Sequence, residues 1–173
     1  MPFSDTFPWL SDLAENLHTL TPGAGPSTLR FDGPAGELGI APLICYEGCK
    51  AAVARRQAGE DTDVLVNMSH DAWFGDTIFP HQFLMVVAPR ATEHGVSVVR
   101  IANTGISAVI EPTGRVRTQS ELFEQIVLVE DVPVQRRATV YSRAGNLFAW
   151  ACMAVSLTVA ALRFRQRRSG EGR

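Results

Sequence analysis

Cys45 is the residue whose type and position most directly suggest covalent chemistry. It follows an apolar run, Leu38 to Ile44, that predicts a buried strand, and a helix-compatible segment begins near Gly48. A strand-to-helix turn exposes a side chain, and the backbone N–H groups at the start of the helix stabilise an anion. The same end of a helix favours thiolate over thiol. Position alone does not decide between a nucleophile and a small buried hydrophobe, the common fate of a free cysteine.

The elements that must position Cys45 predict a layered α/β fold. Val64–Met68 and Val96–Ile101 are short apolar runs typical of buried strands, and Phe79–His94 has a helical spacing that Pro89 kinks or divides. Further strands are predicted at Leu29–Phe31, Ile106–Ile110, Arg115–Thr118 and Ile126–Val132, and a short helix at Ser11–Leu20. Alternating strands and helices followed by a hairpin imply α/β packing with antiparallel additions.

Composition excludes several classes of protein. The 173 residues, 46% hydrophobic and 20% charged, suffice for one domain with a sizeable core. The net charge is −2, but residues 163–173 hold five Arg and one Glu, which leaves an acidic body that disfavours a nucleic-acid partner. The three cysteines, Cys45, Cys49 and Cys152, make no disulfide framework. Because no second Cys or His pair accompanies Cys45 and Cys49, we do not expect zinc. We also expect no other metal and no cofactor.

The C-terminal region predicts a membrane anchor. Gly145 to Leu162 is uncharged and contains about 18 residues, the short limit for a bilayer span. Trp150 lies near one end and a run of arginines follows the other, the arrangement expected of a transmembrane helix with a basic flank. We therefore predict a domain at 1–144, a transmembrane helix at 145–162 and a basic tail at 163–173. A buried or interfacial helix is the alternative.

A set of short motifs occurs in a fixed order along the chain. They are Cys45-Tyr46-Glu47, 67–75 (NMSHDAWFG), 90–93 (RATE), 103–110 (NTGISAVI) with 112–114 (PTG), and 141–146 (YSRAGN), followed by the apolar helix. Together they resemble the C-terminal part of the apolipoprotein N-acyltransferases, membrane members of the nitrilase (carbon–nitrogen hydrolase) superfamily. The resemblance implies part of an αββα sandwich, carried in that family on several transmembrane helices in the inner (plasma) membrane with the catalytic domain on its outer side.

The resemblance also implies a reaction and the residues that perform it. A Glu-Lys-Cys triad would transfer an acyl chain from a phospholipid, through a cysteine thioester, to the N-terminal amine of a diacylglyceryl-cysteine lipoprotein. Cys45 matches the nucleophile, and Tyr46 and Glu47 match the residues beside it, with the Tyr46 N–H as an oxyanion donor. Asp5 stands where a glutamate is usual in that family. Trp73 and Phe74 either face the acyl chain or lipid, or plug the base of the domain.

The triad glutamate and lysine have no counterpart in this sequence. Lys50, the only lysine, follows the nucleophile instead of preceding it, and we do not expect it to substitute. The pattern therefore predicts a C-terminal fragment, or one half of a split enzyme whose upstream half supplies both groups and the other helices. Alone, the chain is expected to be inactive and tail-anchored, with its domain in the cytoplasm.

Smaller assignments and two alternative functions complete the expectations. We expect His70 and His81 to be structural, Asn67 and Asp71 to tie their loop, and Cys49 to be a packing residue. Arg90 and Glu93 are expected to pair on a solvated helix face. A soluble nitrilase-type amidase that uses Cys45 is the first alternative function, although it would need neither the apolar helix nor the basic tail. A non-catalytic, membrane-anchored subunit is the second.

Overall fold

One mixed β-sheet forms the body of the protein. The computed structural model describes residues 23–33 and 36–170, and within these ranges six strands form a single sheet in the order β1-β2-β3-β4-β5-β6. The strands are β1 Leu29–Gly33, β2 Gly36–Ile44, β3 Val64–Ser69, β4 Ser97–Ala102, β5 Ala108–Ile110 and β6 Val116–Gln119. The helices are α1 Ala51–Gln57, α2 Phe79–Val87, α3 Pro89–His94, α4 Val140–Ala144 and α5 Leu147–Gly170, and 3₁₀ turns occur at Cys45–Cys49 and Ala72–Phe74.

Three parallel strands lie at the centre of this sheet. β2 pairs with β3 and β3 with β4 in parallel, because α1 and then α2 with α3 return the chain to the starting edge of the sheet. β1, β5 and β6 add antiparallel strands on either side. The predicted α/β fold with antiparallel additions is confirmed, and the carboxyl ends of β2, β3 and β4 meet at one edge.

The helices α1, α2 and α3 cover one face of the sheet. Fully buried residues of the central strands pack there against Ala54 of α1, Val87 of α2 and Ala91 of α3. The strand residues of this core are Ala41, Leu43, Leu65, Val98, Ala108 and Ile110. Since side chains alternate along a strand, Asn67 and Arg100 project to the same face as Leu65 and Val98.

The opposite face of the central strands carries an apolar row at the edge where these strands end. Ile44, Met68 and Ile101 are in register across β2, β3 and β4, and they are 63%, 43% and 51% exposed. The resemblance implies a sandwich of two sheets, whereas the described residues form a single sheet. The fold therefore corresponds to one sheet and one helical layer of the implied sandwich.

Several predicted boundaries need correction. The segment after Cys45 is a tight 3₁₀ turn, and the α-helix begins at Ala51 instead of Gly48. Pro89 does divide the predicted helix, because it stands at the first position of α3, where its missing N–H is tolerated. α4 was not predicted; Thr139 caps it by accepting from the Ser142 N–H at 2.9 Å. Ser11–Leu20 and Asp5 lie outside the described residues.

The predicted strand at Ile126–Val132 is wrong. This segment is irregular, with Val127 and Val129 exposed at 86% and 92%, so most of its apolar run is not buried in the described structure. The next segment, residues 133–136, is held to the sheet by side-chain contacts instead. Ser97 Oγ donates to the Pro133 carbonyl at 2.5 Å, and Arg136 binds the Asp63 carboxylate through two nitrogens at 2.5 and 2.7 Å.

The predicted pair on α3 exists but is not solvated. Arg90 contacts Glu93 at 2.8 Å, and their side chains are only 8% and 22% exposed because α4 packs over this helix. Burial raises the pKa of the Glu93 carboxyl, against the opposing effect of Arg90. His94, one residue further, is also buried, and its ring meets Tyr141 of α4 edge-on at 5.9 Å between centroids.

The last helix, α5, has an exposed apolar surface. Its window Leu147–Phe164 is long and apolar enough to cross a bilayer, and none of that window is buried. The helix begins at Leu147, two residues after the start of the predicted segment 145–162, and continues through the arginine-rich region to Gly170.

Candidate active site

Cys45 occupies a strained turn at the carboxyl end of β2. Its φ angle is 49°, in the left-handed region that residues with a Cβ rarely adopt. Such outliers persist only where the surroundings hold them, and they concentrate at functional sites. The side chain is half-buried at the edge where the parallel strands end, the usual location of ligand sites in α/β sheets.

The two residues after Cys45 have distinct contacts. The Glu47 carboxylate accepts a hydrogen bond from the Ile44 N–H at 2.7 Å and so closes the turn around Cys45. The exposed Tyr46 ring stacks on Phe83 at 6.4 Å between centroids and lies 5.3 Å from Lys50 Nζ. Glu47 therefore shapes the turn that presents the sulfur, and Lys50 lies against the Tyr46 ring.

Ser69, the last residue of β3, contacts the sulfur. Ser69 Oγ lies 3.7 Å from Cys45 Sγ and also forms a short hydrogen bond to Asp71 Oδ1. The Asp71 carboxylate, 2% exposed, accepts in turn from Arg100 at 2.6 Å. These contacts link the candidate nucleophile to a buried ion pair two side chains away.

Arg100 and Asn67 complete a closed ring of contacts below the turn. Arg100 donates to Asn67 Oδ1 at 2.5 Å, and Asn67 Nδ2 donates to the carbonyls of Leu43 and Cys45 at 3.1 and 3.0 Å. Burial lowers the pKa of Arg100, while the charge and hydrogen bond of Asp71 oppose that effect. We name Asn67, Ser69, Asp71 and Arg100 the polar ring. It fixes the Cys45 backbone and side chain from the helix-covered face of the sheet.

Two glycines allow the polar ring to close. A Cβ on Gly105, in the loop after β4, would collide with the Asp71 carboxylate, whose position would have to change. A Cβ on Gly48 would lie 2.8 Å from Asn67 Nδ2. Both positions therefore require glycine for close approach.

Aromatic side chains line the site beside the sulfur. Tyr46, Phe74, Phe79 and Phe83, which we name the aromatic shelf, are linked by stacked or tilted contacts, the closest at 4.1 Å between Phe74 and Phe79. The Arg100 guanidinium lies 4.3 Å from the Phe83 ring and joins the shelf to the polar ring.

The structure separates the two aromatic residues predicted for substrate. Phe74 is half-buried within the shelf, whereas Trp73 is 81% exposed and donates from Nε1 to the His70 carbonyl at 2.9 Å. His70 is held by Asn103 Nδ2, 2.9 Å from its Nδ1. Ile78 and Met85, just before and within α2, are also exposed, at 68% and 72%.

Three further expectations concern Cys49, a metal and Asp5. Cys49 packs against the core, and burial raises the pKa of its thiol despite the nearby Arg100 and Arg90. Among the described residues no cluster of three or more His, Cys, Asp or Glu is arranged to hold a metal. Asp5, predicted at the site, lies outside the described residues.

Sequence reasoning missed Ser69 and Arg100. Arg100 carries a detectable signal, because an arginine within the apolar run Ser97-Val98-Val99-Arg100-Ile101 requires a carboxylate partner if that strand is buried. Asp71 was expected only to tie its loop, and the structure shows it as that partner. Ser69 carries no such signal, since serine at a strand end is common in any turn.

Comparisons with known proteins identify relatives over most of the chain. A family model described as carbon–nitrogen hydrolase matches residues 9–141. An apolipoprotein N-acyltransferase from Geobacter metallireducens is 36% identical over 167 residues, which are 96% of this chain and 31% of the relative. Another from Bradyrhizobium diazoefficiens is 36% identical over 170 residues, which are 94% and 31% of the two chains. The chain thus spans about a third of the length of these relatives.

Two solved structures resemble the fold at lower identity. Nit3 from Saccharomyces cerevisiae, a member of the nitrilase superfamily, is 22% identical with a TM-score of 0.48, covering 62% of this chain and 41% of that chain. An amidase from Nesterenkonia sp. is 18% identical with a TM-score of 0.47, covering 60% and 40%.

Proposed function

The chain belongs to the carbon–nitrogen hydrolase family, and from that premise we propose that it is the nucleophile-bearing part of an N-acyltransferase that modifies lipoproteins. The strained Cys45 turn, within a sequence 36% identical over 96% of its length to a named apolipoprotein N-acyltransferase, is the observation that supports this most directly. The donor is a phospholipid and the acceptor is the N-terminal amine of a diacylglyceryl-cysteine lipoprotein.

The reaction consists of two acyl transfers through Cys45. The thiolate attacks the ester carbonyl of the phospholipid; a C–S bond forms, the C–O bond breaks, and the lysophospholipid oxygen takes a proton. The acceptor amine then attacks the thioester; a C–N bond forms, the C–S bond breaks, and the amine loses a proton to a base. Because one site serves both halves, the kinetics are ping-pong.

The groups beside Cys45 have separate roles in this proposal. The Tyr46 N–H, at the start of the 3₁₀ turn, binds the oxyanion of each tetrahedral intermediate. Glu47 holds that turn through the Ile44 N–H. Asp5, in the undescribed segment, stands where the family has a glutamate, one methylene longer.

The apolar surface near the sulfur suits an acyl chain. Phe74 and the rest of the aromatic shelf are linked to Tyr46 through ring contacts, and the sequence neighbours Trp73 and Ile78 are exposed. Burying an acyl chain there contributes about 0.8 kcal/mol per methylene. We assign Trp73 and Phe74 to the chain of the phospholipid donor.

Two triad groups must come from outside this chain. The resemblance requires a glutamate base and a lysine, and the chain spans about a third of its relatives' length. We infer that a preceding part of the enzyme, in the same or another polypeptide, supplies both groups and covers the apolar row of Ile44, Met68 and Ile101. Without them the chain has negligible transferase activity.

The last helix supports membrane attachment. The window Leu147–Phe164 is exposed, apolar and long enough to cross a bilayer. A soluble amidase, the alternative function for Cys45, has no use for such a surface. We propose that α5 spans the inner (plasma) membrane, and that the domain lies on its outer side when the rest of the enzyme is present.

A chimera tests the proposed function. This chain replaces the 167 aligned residues of the Geobacter metallireducens relative, so that the relative supplies the rest of the enzyme. The chimera is incubated with phospholipid vesicles and a diacylglyceryl-cysteine peptide, and mass spectrometry follows the acyl adduct on Cys45 and the N-acylated peptide. We expect both products, with no release of ammonia from simple amides.

Matched cysteine variants make the test specific. Cys45→Ala should abolish adduct and product, whereas Cys49→Ala, one turn further along the chain, should retain most of the activity. A folded chimera that forms no adduct on Cys45, or an active Cys45→Ala variant, would show the proposal to be wrong. Amide hydrolysis without transfer would favour the amidase alternative.

A further inference from the structure

The contact between Ser69 and Cys45 suggests a device for holding the thiol. A serine hydroxyl has one proton to donate and two lone pairs that accept. Ser69 Oγ has two neighbours, Cys45 Sγ at 3.7 Å and the Asp71 carboxylate at hydrogen-bond distance. Its single proton can serve only one of them.

Asp71 decides which neighbour receives that proton. Its carboxylate is paired at 2.6 Å with Arg100, and the two side chains are only 1% and 0% exposed, so the pair is ionic and shielded from water. An ionised carboxylate is a much stronger acceptor than sulfur. The Ser69 proton therefore points at Asp71, and the remaining lone pairs of Oγ face Cys45 as an acceptor.

Resting on the proposed function, we propose that Ser69 is a positioning residue for Cys45. The buried Asp71–Arg100 pair sets the direction in which the Ser69 hydroxyl donates its proton, which we call its polarity. In the resting state Ser69 accepts the S–H bond and fixes the direction of the thiol. When the base removes the thiol proton, Ser69 cannot donate to the thiolate, because its own proton remains on the Asp71 side. The sulfur is thus oriented before attack, and its lone pairs are not weakened by a hydrogen bond during attack.

The rest of the polar ring keeps this geometry stiff. Asn67 ties the Cys45 carbonyl to Arg100, and Gly105 lets the Asp71 carboxylate approach the loop after β4. A shift of Asp71 would therefore be resisted from two sides. The sulfur and the serine hydroxyl therefore keep a constant geometry.

Thiol alkylation tests the polarity in the complete chain, without any transferase activity. In a Cys49→Ala, Cys152→Ala background Cys45 is the only thiol, and its reaction with iodoacetamide at pH 7 is measured in detergent. Asp71→Asn lets the amide donate to Ser69, so the Ser69 proton turns to the sulfur and stabilises the thiolate. We expect alkylation to accelerate roughly fivefold more in Asp71→Asn than in the Ser69→Ala, Asp71→Asn double variant, the effect of about one hydrogen bond.

The double variant separates Ser69 from the general effect of charge. Loss of the Asp71 charge leaves Arg100 uncompensated in both variants, so only the difference between them reports the hydroxyl. Equal acceleration with and without Ser69 would overturn the assigned polarity. Circular dichroism checks that each variant is folded, and Ser107→Ala, a half-buried serine after β4 that contacts the Ala102 backbone, serves as the matched control.

A second arm uses the acylating chimera and remains decisive if Asp71→Asn fails to fold. Ser69→Ala should lower kcat for Cys45 acylation about tenfold with little change in KM, as expected when only orientation is lost. Ser69→Thr retains the hydroxyl and suits a strand, so it should restore most of the rate. Unchanged kcat in Ser69→Ala, or no rescue by threonine, would refute the positioning role. An inactive parent chimera would instead count against the proposed function, while the alkylation result would still decide the polarity.

Discussion

His94 gives the protein a predictable sensitivity to acid. The residue is 5% exposed, and neither of its ring nitrogens has a hydrogen-bond partner among the described residues. Burial is the main cause that lowers the pKa of His94 from 6.5 to about 4, and the charges of Arg90 and Arg55 lower it further. The folded protein therefore keeps this imidazole neutral at a pH where the unfolded chain protonates it.

The sign and size of the effect follow from proton linkage. Since the pKa is lower in the folded state, the unfolded chain binds more protons between pH 6.5 and 4, and the free energy of unfolding falls as pH falls through that window. At 1.36 kcal/mol per unit, protonation of His94 in the unfolded chain costs the folded protein about 2 kcal/mol at pH 5 and almost nothing at pH 7.

Urea denaturation of the chain in detergent, followed by circular dichroism at pH 7 and pH 5, measures this loss. His94→Leu removes the titrating group and the unpartnered nitrogens, so its free energy of unfolding should fall between the two pH values by about 2 kcal/mol less than that of the original chain. His81→Leu, which removes a histidine from an exposed position on α2, is the matched control with which the effect of His94→Leu is compared. An identical pH dependence in the original chain and His94→Leu would refute the reasoning.

Two further predictions concern the polar ring and the last helix. Arg100→Met and Asp71→Asn each leave one buried charge unpaired and should each lower the free energy of unfolding by about 3–5 kcal/mol, whereas the double variant should cost less than their sum by about 1–3 kcal/mol. Urea denaturation measures the cycle, and strictly additive costs would mean that the two side chains are not coupled. The complete chain expressed in bacteria should resist carbonate extraction, and deletion of residues 145–173 should release it. A complete chain that carbonate extracts would mean that α5 does not cross the membrane.

Local patterns predicted the parallel core well because its elements are short and self-contained. β3 and β4 are short, mainly apolar runs with three buried residues each, and the proline at the start of α3 marks the helix boundary directly. The segment 126–132 begins with a similar apolar run but has no neighbouring strand in the described structure. A strand requires a partner edge, and no local pattern contains that information.

In the candidate site, too, local features could be predicted from the sequence and contacts between distant segments could not. The turn at Cys45 was predictable, because a cysteine between a strand and a helix is a local feature of the sequence. The polar ring was not, because Asn67, Asp71 and Arg100 come from two strands and a loop, and only the register of β3 against β4 brings them together. The apolar neighbours of Arg100 predict the strand but not its partner, although burial of the guanidinium requires a carboxylate such as Asp71.

The two faces of the sheet present different groups near Cys45. The polar ring and the aromatic shelf lie on the helix-covered side and hold the turn from below through Asn67 and Ser69. On the other side the apolar row ends at Ile44, the residue directly before Cys45, and it is exposed across three strands. A surface that covered this row would therefore reach the sulfur from the side opposite Ser69. Under the proposed function, that is the direction from which a base and a lysine can approach the thiol without displacing the polar ring.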